Sequence, residues 1–384
     1  MKKKRQPRTL AHQSLAFHKE HRGKIETATK VSLKKRTNIA LAYTPGVGAV
    51  STYLAKHPEK ARDYTFKGNS VAVISDGSAV LGLGNIGPYG AYPVMEGKAL
   101  IFKQFANIDA VPIVLATQDP EKIIETVLAI APTFGGINLE DIKAPGCFDI
   151  ERRLIEALDI PVMHDDQHGT AIVVLAALMN AAKVVKKKLT TLRIVICGAG
   201  AAATATAKLL RSAGISDIVL LDRSGALVKS RTDLTAEKRE LAELTNPRGV
   251  MGSLEEVLLG ADVFIGLSGP ALLTSDHVKS MAARSIVFAL SNPVPEIMPA
   301  DALRGGAAVV GTGRSDFPNQ INNALVFPGI FRGALDKKLT KITTETKLRA
   351  AKALASLVAR PSAKKIVPDI LDKRVVPAVA RAVR

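Results

Sequence analysis

Three carboxylates in this 384-residue sequence have the residue types and positions of a metal site. Glu140 and Asp141 follow the apolar start of INLEDI, and Asp166 ends the segment IPVMHDD. Acids at the carboxyl ends of buried strands lie where ligand sites form in α/β proteins, and buried acid pairs are costly unless a cation neutralises them. Hard oxygen donors suit hard cations, so the pattern predicts a Mg²⁺ or Mn²⁺ site. The alternative is a set of exposed loop acids.

A glycine loop further along the chain predicts a dinucleotide site. The apolar segment RIVIC precedes Gly198 and Gly200, and Ala201 and Ala202 open an alanine-rich helical segment. In this G-x-G-x-x-A arrangement the glycines let a pyrophosphate approach the helix N-terminus closely. The next apolar segment, DIVLLD, ends in Asp222, close to the separation of about 20 residues expected for an acid that binds the ribose 2′-hydroxyl.

The residues at the end of DIVLLD leave the choice of cofactor open. The Asp222 carboxylate would repel a 2′-phosphate, which favours NAD. The neighbouring Arg223 could bind that phosphate, which favours NADP. The sequence therefore predicts NAD or NADP, with a slight preference for NAD.

Two further motifs are interpreted as structural. The segment 82–87 also has the spacing G-x-G-x-x-G, but Pro88 and Pro93 follow it, and proline interrupts helices. We interpret the segment as a tight turn that lines a site. His164 and His168 are four residues apart, as in some zinc sites, but no cysteine or glutamate completes a zinc motif, so structural histidines are the favoured interpretation.

The elements that must position these residues alternate between strands and helices. Segments such as VAVISD and VPIVLAT predict short strands, and EKIIETVLAIAPTF and CFDIERRLIEAL predict helices. This alternation is typical of parallel α/β sheets. We therefore predict an α/β protein with an N-terminal α/β domain over residues 1–163 and a C-terminal Rossmann-like, doubly wound dinucleotide-binding domain over 164–384. The long apolar helix after Gly169 is expected at their junction.

Composition argues against several other classes of protein. The net charge of +18 is spread along the chain, and no basic run alternates with the aromatic residues that a nucleic-acid surface would use. Cys147 and Cys197 cannot form a disulfide framework, which predicts a reducing compartment. No apolar segment reaches the length of a membrane span, and no apolar region follows the basic N-terminus as in a signal peptide. We expect a cytoplasmic protein with neither a nucleic-acid nor a membrane partner.

Long motifs in a fixed order then point to a family. The chain resembles the malic enzymes, most closely the short bacterial type, in AYTPGV, SDGSAVLGLGNIGP, PVMEGKALIFK, DAVPIVL, PTFGGINLEDI, HDDQHGTAIV, GAGAAA, FALSNP and INNALVFPG. The resemblance runs from about residue 15 to the C-terminus. It implies oxidative decarboxylation of (S)-malate to pyruvate and CO₂, with NAD or NADP and a divalent metal. Since short members are typically dimers with the N-terminal arm near the neighbouring site, it also implies a homodimer.

The resemblance also assigns roles to residues. It implies metal ligation by Glu140, Asp141 and Asp166, a general base at Lys98 supported by Asp165, a general acid at Tyr43, and substrate contacts at Asn292 and at Asn322 or Asn323, with Asn292 also placed at the cofactor. The assignment agrees with the chemistry, because hydride can leave carbon 2 only if the 2-hydroxyl loses its proton to a base. Lys98 suits this role if burial and a nearby metal lower its pKa.

One departure and two alternatives accompany this interpretation. Ala79 stands where long malic enzymes carry an arginine for a substrate carboxylate, which leaves the mode of carboxylate binding open. The same metal site would also suit a soluble oxaloacetate decarboxylase with little hydride transfer, although the glycine loop and Asp222 argue against it. A basic polyanion-binding protein is the alternative from a different class, and the dispersed charge argues against it.

Overall fold

The N-terminal half of the chain is built around a parallel sheet of four strands. A computed structural model describes residues 9–384, so the basic residues 1–8 lie outside the described part of the chain. The strands lie in the order β2-β1-β3-β4 and are β1 (Ser70–Ser75), β2 (Asp109–Val114), β3 (Gly136–Leu139) and β4 (Val162–His164). β1 and β3 are buried along their whole length, as expected for apolar strands of a sheet covered on both faces.

Eight helices precede, connect or follow these strands. They are α1 (Leu10–His21), α2 (Arg36–Ala42), α3 (Val47–Lys56), α4 (Ala61–Tyr64), α5 (Gly87–Ala106), α6 (Pro120–Ile130), α7 (Gly146–Ala157) and α8 (Asp165–Val184). Helices α6 and α7 bury their apolar sides with Ile74, Ile137 and Val162 of the sheet in one core cluster. By contrast, α1 to α4 contain no buried residue.

The C-terminal half contains a second sheet of six strands. Their order is β10-β9-β8-β5-β6-β7, with β5 (Ile194–Cys197), β6 (Ile218–Asp222), β7 (Gly225–Ala226), β8 (Val263–Gly266), β9 (Ile286–Ala289) and β10 (Val309–Thr312). All pairings in this sheet are parallel except β6 with the two-residue β7, which is antiparallel. The expected Rossmann-like arrangement is confirmed.

Helices cover this second sheet and join the two halves. They are α9 (Ala201–Ser212), α10 (Ala236–Leu244), α11 (Leu254–Leu258), α12 (Ser275–Ser280), α13 (Pro299–Arg304), α14 (Phe327–Asp336), α15 (Thr344–Ser356) and α16 (Val375–Ala382). The apolar helix α8 follows β4 directly and packs against α9 and α15, so it joins the first sheet to the second. Among the described residues no helix combines the length and apolarity needed to cross a membrane.

The prolines after the first glycine motif do not have the effect expected from the sequence. Helix α5 begins at Gly87, and Pro93 lies inside it, so the expectation that prolines prevent a helix here is wrong. Pro88 occupies the first turn, where a backbone N–H has no intrahelical partner in any case. The loop before α5 is nevertheless a tight turn, in which the Val80 amide donates to the Gly84 carbonyl at 2.9 Å. A Cβ on Gly82 would overlap the Asn292 carbonyl oxygen of the second half, so the turn lies against that segment.

Candidate active site

Five ionisable side chains meet at the carboxyl edge of the first sheet. Strand β3 ends just before Glu140 and Asp141, and β4 ends just before Asp165 and Asp166, which begin α8. Because β3 and β4 are neighbours and parallel, with Leu139 opposite His164, both acidic segments leave the sheet at the same edge. Helix α5 supplies the fifth group, Lys98. The local sequence thus produces the cluster by placing acids directly after apolar strands.

The three predicted metal ligands converge. One carboxylate oxygen from each of Glu140, Asp141 and Asp166 lies within 4.8 Å of the other two. The Asp141 amide donates to Asp166 Oδ2 at 2.8 Å, which ties the ends of the two strands together. Asp141 adopts a left-handed backbone conformation with φ of 55°, which is uncommon for a residue with a Cβ and clusters at functional sites.

The donor set fits a divalent cation. Burial, followed by the charge of Asp166, raises the pKa of Asp141 to about 8. Burial also raises the pKa of Glu140 well above its usual range, despite the opposing charge of Lys98. Asp141 Oδ2 is buried and has no hydrogen-bond partner among the described residues. Two carboxylates that are costly to keep ionised, one of which has an unpartnered oxygen, match the needs of Mg²⁺ or Mn²⁺.

Lys98 is the cation of the cluster. Its Nζ lies 2.5 Å from Asp165 Oδ2 and 2.9 Å from Glu140 Oε1, and 4.4 Å from the centre of the Phe327 ring. Burial by itself lowers the pKa of Lys98, but the charges of Asp165 and Glu140 outweigh it and raise that pKa above its usual range. The pKa of Lys98 was expected to be lowered, but the neighbouring side chains raise it instead. The expected hydrogen bond between Lys98 and Asp165 is present.

The second half of the chain reaches this cluster through Asn323. A Cβ on Gly169 would overlap Asp165 Oδ1 and would lie 3.0 Å from the Asn323 Cβ, so only glycine leaves room for the close packing of these groups. The Asn322 side chain is used differently, because it accepts a hydrogen bond from the Ala324 amide at 2.9 Å and caps a short 3₁₀ turn. Of the two asparagines that the sequence left open, Asn323 is the one beside Asp165.

The second glycine loop has the geometry of a dinucleotide site. Strand β5 ends at Cys197, and α9 begins at Ala201 with Gly200 as its N-cap. Gly198 has φ of 124°, and a Cβ there would lie 2.6 Å from the Leu267 carbonyl oxygen. A Cβ on Gly200 would meet nothing within 4 Å, so the helix N-terminus faces open space. Its free amides are suited to bind a pyrophosphate.

Asp222 lies at the end of β6, as predicted, but two cations that the sequence did not indicate already bind it. Its carboxylate accepts hydrogen bonds from Arg231 at 2.8 and 3.2 Å and from Lys238 at 2.6 Å. Although burial raises the pKa of Asp222, the bonds from Arg231 and Lys238 lower it to about 2. Arg223, the predicted alternative, is exposed. The positive groups that contact Asp222 are therefore Arg231 and Lys238.

Comparison with known proteins decides the family. Residues 22–121 and 116–155 match the family model for the malic enzyme N-terminal domain, and residues 167–384 match the model for the malic enzyme NAD binding domain. The chain belongs to the malic enzyme family. It is 53% identical over 378 residues to the bifunctional malic/malolactic enzyme of Bacillus subtilis strain 168, covering 98% of this chain and 92% of that relative.

Other malic enzymes match over nearly the whole chain. The NAD-dependent malic enzyme of Geobacillus stearothermophilus is 54% identical over 363 residues, which cover 94% of this chain and 76% of that enzyme. The crystal structure of the NAD-dependent malic enzyme from Thermotoga maritima has 49% sequence identity and superimposes with a TM-score of 0.93, covering 96% of this chain and 98% of that chain. These matches confirm the family and the α/β fold expected from the sequence.

The predicted general acid, Tyr43, makes no hydrogen bond to the cluster in the described part of the chain. Tyr43 follows α2, is 70% exposed, and makes no side-chain hydrogen bond within residues 9–384. Other large apolar side chains of the same region are also exposed, among them Leu10 and Leu41. Sequence reasoning placed Tyr43 in a fixed turn but could not show whether its own chain completes its surroundings.

Two further carboxylates that organise the malic enzyme site were missed. Glu296 is fully buried, and it accepts hydrogen bonds from the amides of Ser268 and Ser291, just after β8 and β9. It thereby shapes the loop that carries Asn292. Glu151 of α7 binds the His164 amide and the Gln167 side chain at the start of α8. Glu151 lies within a predicted helix and Glu296 in the proline-rich segment VPEIMP, and no spacing in the sequence indicates a role for either.

Both histidines of the discarded zinc motif are buried or half-buried, but they do not form a metal site. His168 Nε2 lies 3.0 Å from Glu151 Oε2, and its Nδ1 lies 2.9 Å from Lys347 Nζ. His164 is fully buried and neither of its ring nitrogens has a hydrogen-bond partner in the described chain. The two side chains therefore have different surroundings, which favours the structural interpretation for His168.

Proposed function

We propose that this protein oxidatively decarboxylates (S)-malate to pyruvate and CO₂ with reduction of NAD⁺ or NADP⁺, and that it requires Mg²⁺ or Mn²⁺. The observation that carries the proposal is the convergence of Glu140, Asp141 and Asp166 beside the Lys98–Asp165 pair. Relatives about half identical are named NAD-dependent and NADP-dependent malic enzymes. Glu140, Asp141 and Asp166 would hold the cation, which when bound supplies Lewis-acid stabilisation of negative charge on the substrate.

Proton transfer from the substrate falls to Lys98 and Asp165. A protonated amine cannot accept a proton, so Lys98 must first lose one. Asp165 Oδ2 accepts a hydrogen bond from Nζ at 2.5 Å, so it is the group to which Lys98 can pass that proton. Neutral Lys98 then accepts the proton of the malate 2-hydroxyl as hydride leaves carbon 2 for the nicotinamide. Asn323 lies next to Asp165, where it is placed to orient the substrate.

The remaining proton, which carbon 3 must gain after CO₂ leaves, is assigned to Tyr43 of a second subunit. We propose a homodimer in which the exposed N-terminal helices α1 to α4 pack on the partner subunit and bring Tyr43 to the cluster of acids and lysine in that subunit. Support comes from the exposure of Tyr43 and from the absence of buried residues in α1 to α4 of the single chain. Mixing inactive Lys98→Ala and Tyr43→Phe proteins should restore activity in mixed dimers. Unchanged inactivity after verified subunit exchange would contradict the shared site.

Cofactor binding is assigned to the loop after β5. Gly198, Gly200, Ala201 and Ala202 would hold the pyrophosphate, and Asp222 would bind the ribose, with Asn292 near the nicotinamide. We propose a slight preference for NAD, because the Asp222 carboxylate would repel the 2′-phosphate of NADP. The preference is only slight, because Arg231 and Lys238 reduce this repulsion. Arg223 is assigned a smaller part, because its side chain is exposed and forms no hydrogen bond or ion pair with Asp222 among the described residues.

The division and location of the protein follow the same reasoning. We propose an N-terminal catalytic domain over residues 1–163 and a cofactor-binding domain over 164–384, since β1 to β3 lie before that boundary, the six-stranded sheet lies after it, and β4 spans it. Both cysteines are free, in keeping with the cytoplasmic location that we propose.

Product analysis tests the proposed reaction. Malate, NAD⁺ and Mn²⁺ should yield pyruvate, CO₂ and NADH in equal amounts. Pyruvate from oxaloacetate without NADH from malate would instead support the decarboxylase alternative. Lactate is measured in the same samples, because a relative 53% identical is named a bifunctional malic/malolactic enzyme. Lactate in place of NADH and pyruvate would contradict the proposed net reaction.

A further inference from the structure

A buried carboxylate on α7 binds the start of α8, where Asp165 and Asp166 lie. Glu151 is 6% exposed and uses both oxygens. Oε1 accepts a hydrogen bond from the His164 backbone amide at 2.7 Å, and Oε2 accepts one from the Gln167 side chain at 3.1 Å. The first amides of a helix have no intrahelical partners, so a carboxylate that binds them fixes where the helix begins.

The same carboxylate is connected to the second half of the chain. His168 Nε2 lies 3.0 Å from Glu151 Oε2, and Lys347 Nζ of α15 lies 2.9 Å from His168 Nδ1. An ammonium group can only donate, so Nδ1 accepts and Nε2 carries the hydrogen that it donates to Glu151. Burial lowers the pKa of Lys347 to about 8, so below that pH Lys347, His168 and Glu151 form a directed chain of hydrogen bonds with a positive charge at Lys347 and a negative charge at Glu151.

This chain of hydrogen bonds ends at the first turn of α8, which carries Asp165 and Asp166. Asp165 and Asp166 lie between His164, whose amide Glu151 binds, and Gln167, whose side chain Glu151 also binds. A shift of this turn would change the Lys98–Asp165 distance of 2.5 Å and the spacing of Asp166 from the other two acids. Catalytic geometry tolerates displacements of only about 0.5 Å, so the support for this turn affects function.

We propose that Glu151 is a positioning residue for the metal acids and that Lys347, acting through His168, makes this positioning depend on the packing of α15. The proposal rests on the metal site of the proposed function. It predicts that a change in α15, on the second half of the chain, alters metal affinity at the edge of the first sheet. Neither Glu151 nor Lys347 belongs to the three-acid cluster.

The test measures Mn²⁺ affinity of the full-length protein by calorimetry, without substrate. Glu151→Gln should weaken Mn²⁺ binding about 10–100-fold, the effect typical of groups that orient metal ligands. Lys347→Met should weaken it in the same direction. Because both act through one chain, the double variant should bind Mn²⁺ as Glu151→Gln does, rather than show the sum of the two effects.

Matched controls lie on the same helices. Glu156→Gln on α7 removes an exposed partner of Arg152, and Lys352→Met on α15 removes an exposed lysine. Both should bind Mn²⁺ within about twofold of the wild type, as expected for surface changes. Steady-state kinetics should show the loss in Glu151→Gln mainly in the Mn²⁺ requirement and in kcat, with the KM for NAD unchanged.

The outcomes separate this inference from the proposed function. Wild-type affinity in both Glu151→Gln and Lys347→Met would overturn the positioning role, and purely additive losses would overturn the coupling of Lys347 through His168 and Glu151, in both cases leaving the metal site intact. Failure of the wild type to bind Mn²⁺ would overturn both. If Glu151→Gln does not fold, the half-buried Lys347→Met and its control Lys352→Met decide the question alone.

Discussion

Replacing Asp222 by serine should shift cofactor preference from NAD towards NADP. In the wild type, Asp222 is the residue that we propose binds the ribose, and Arg231 and Lys238 bind its two oxygens at 2.6–3.2 Å. Asp222→Ser removes the acceptor for the ribose hydroxyls of NAD and leaves Lys238 without a partner. Arg231 keeps its second partner, Asp233, at 2.6 Å. The change makes the local charge more positive by one unit, which favours a 2′-phosphate.

The magnitude follows from the bonds that change. A hydrogen bond to a charged group contributes about 1.5–3 kcal/mol, and we take the lower value because Asp222 already shares its oxygens. Loss of one such bond weakens NAD binding about tenfold, and one new bond from Lys238 to the phosphate strengthens NADP binding about tenfold. The ratio of kcat/KM for NADP to that for NAD should therefore rise about 100-fold.

The assay compares both cofactors in steady state and the adenosine fragments by direct binding. Calorimetry with adenosine 2′,5′-bisphosphate and with 5′-AMP reports the phosphate site without turnover. Asp233→Ser is the matched control: it removes the exposed second partner of Arg231, and such pairs contribute about 0–1 kcal/mol. If Asp222→Ser leaves the ratio of kcat/KM for NADP to that for NAD unchanged, Asp222 does not set cofactor preference. An equal change of this ratio in Asp233→Ser would lead to the same conclusion.

Three further predictions concern the cluster. Lys98→Ala should lower turnover about 10²–10⁴-fold, the usual scale for a general base, and should abolish the single-turnover burst of reduced cofactor. Tyr43→Phe should also be slow, but its burst should survive, because hydride transfer precedes protonation of carbon 3; loss of the burst in both variants would show that the roles are divided wrongly. Because the pKa of Asp141 is about 8 in the folded, metal-free protein and about 3.9 in an unfolded chain, the folded state binds the extra proton between these values. This contribution to the free energy of unfolding is full below about pH 3.9 and is lost as the pH rises through 8, so the metal-free protein should unfold at a lower urea concentration at pH 9 than at pH 6. An Asp141→Asn variant should lose part of this pH dependence. The same pH dependence in the variant and the wild type would contradict the raised pKa of Asp141.

The positions of the three converging carboxylates could be predicted from the sequence, because each follows closely after an apolar strand. Glu140 and Asp141 follow one apolar strand directly, and Asp166 comes two residues after another. The carboxyl ends of neighbouring parallel strands meet at one edge, so three separate residues of the sequence become one cluster. The glycine loop was predictable for the same reason, since strand, Gly198 and helix are contiguous.

The partners of these residues could not be predicted, because irregular segments or different elements bring them in. Arg231 and Lys238 reach Asp222 through a loop and a separate helix, at spacings that follow no periodic pattern. Lys347 lies 179 residues from His168, and only the packing of α15 on α8 joins them. The expectation about Pro88 failed because a rule for helix interiors was applied to a first turn, where proline is well tolerated.

Malate-dependent formation of reduced cofactor at 340 nm, with Mn²⁺ and with EDTA in matched samples, is the direct test of metal-dependent malate oxidation. Absorbance should increase with malate, NAD⁺ and Mn²⁺, should increase less with NADP⁺, and should not increase with EDTA until Mn²⁺ is restored. Asp166→Asn, which removes one of the three converging carboxylates, should need far more Mn²⁺ than the wild type for the same rate. An undiminished rate in EDTA would contradict the proposed metal requirement. No absorbance increase with either cofactor at saturating Mn²⁺ would contradict the proposed oxidation of malate.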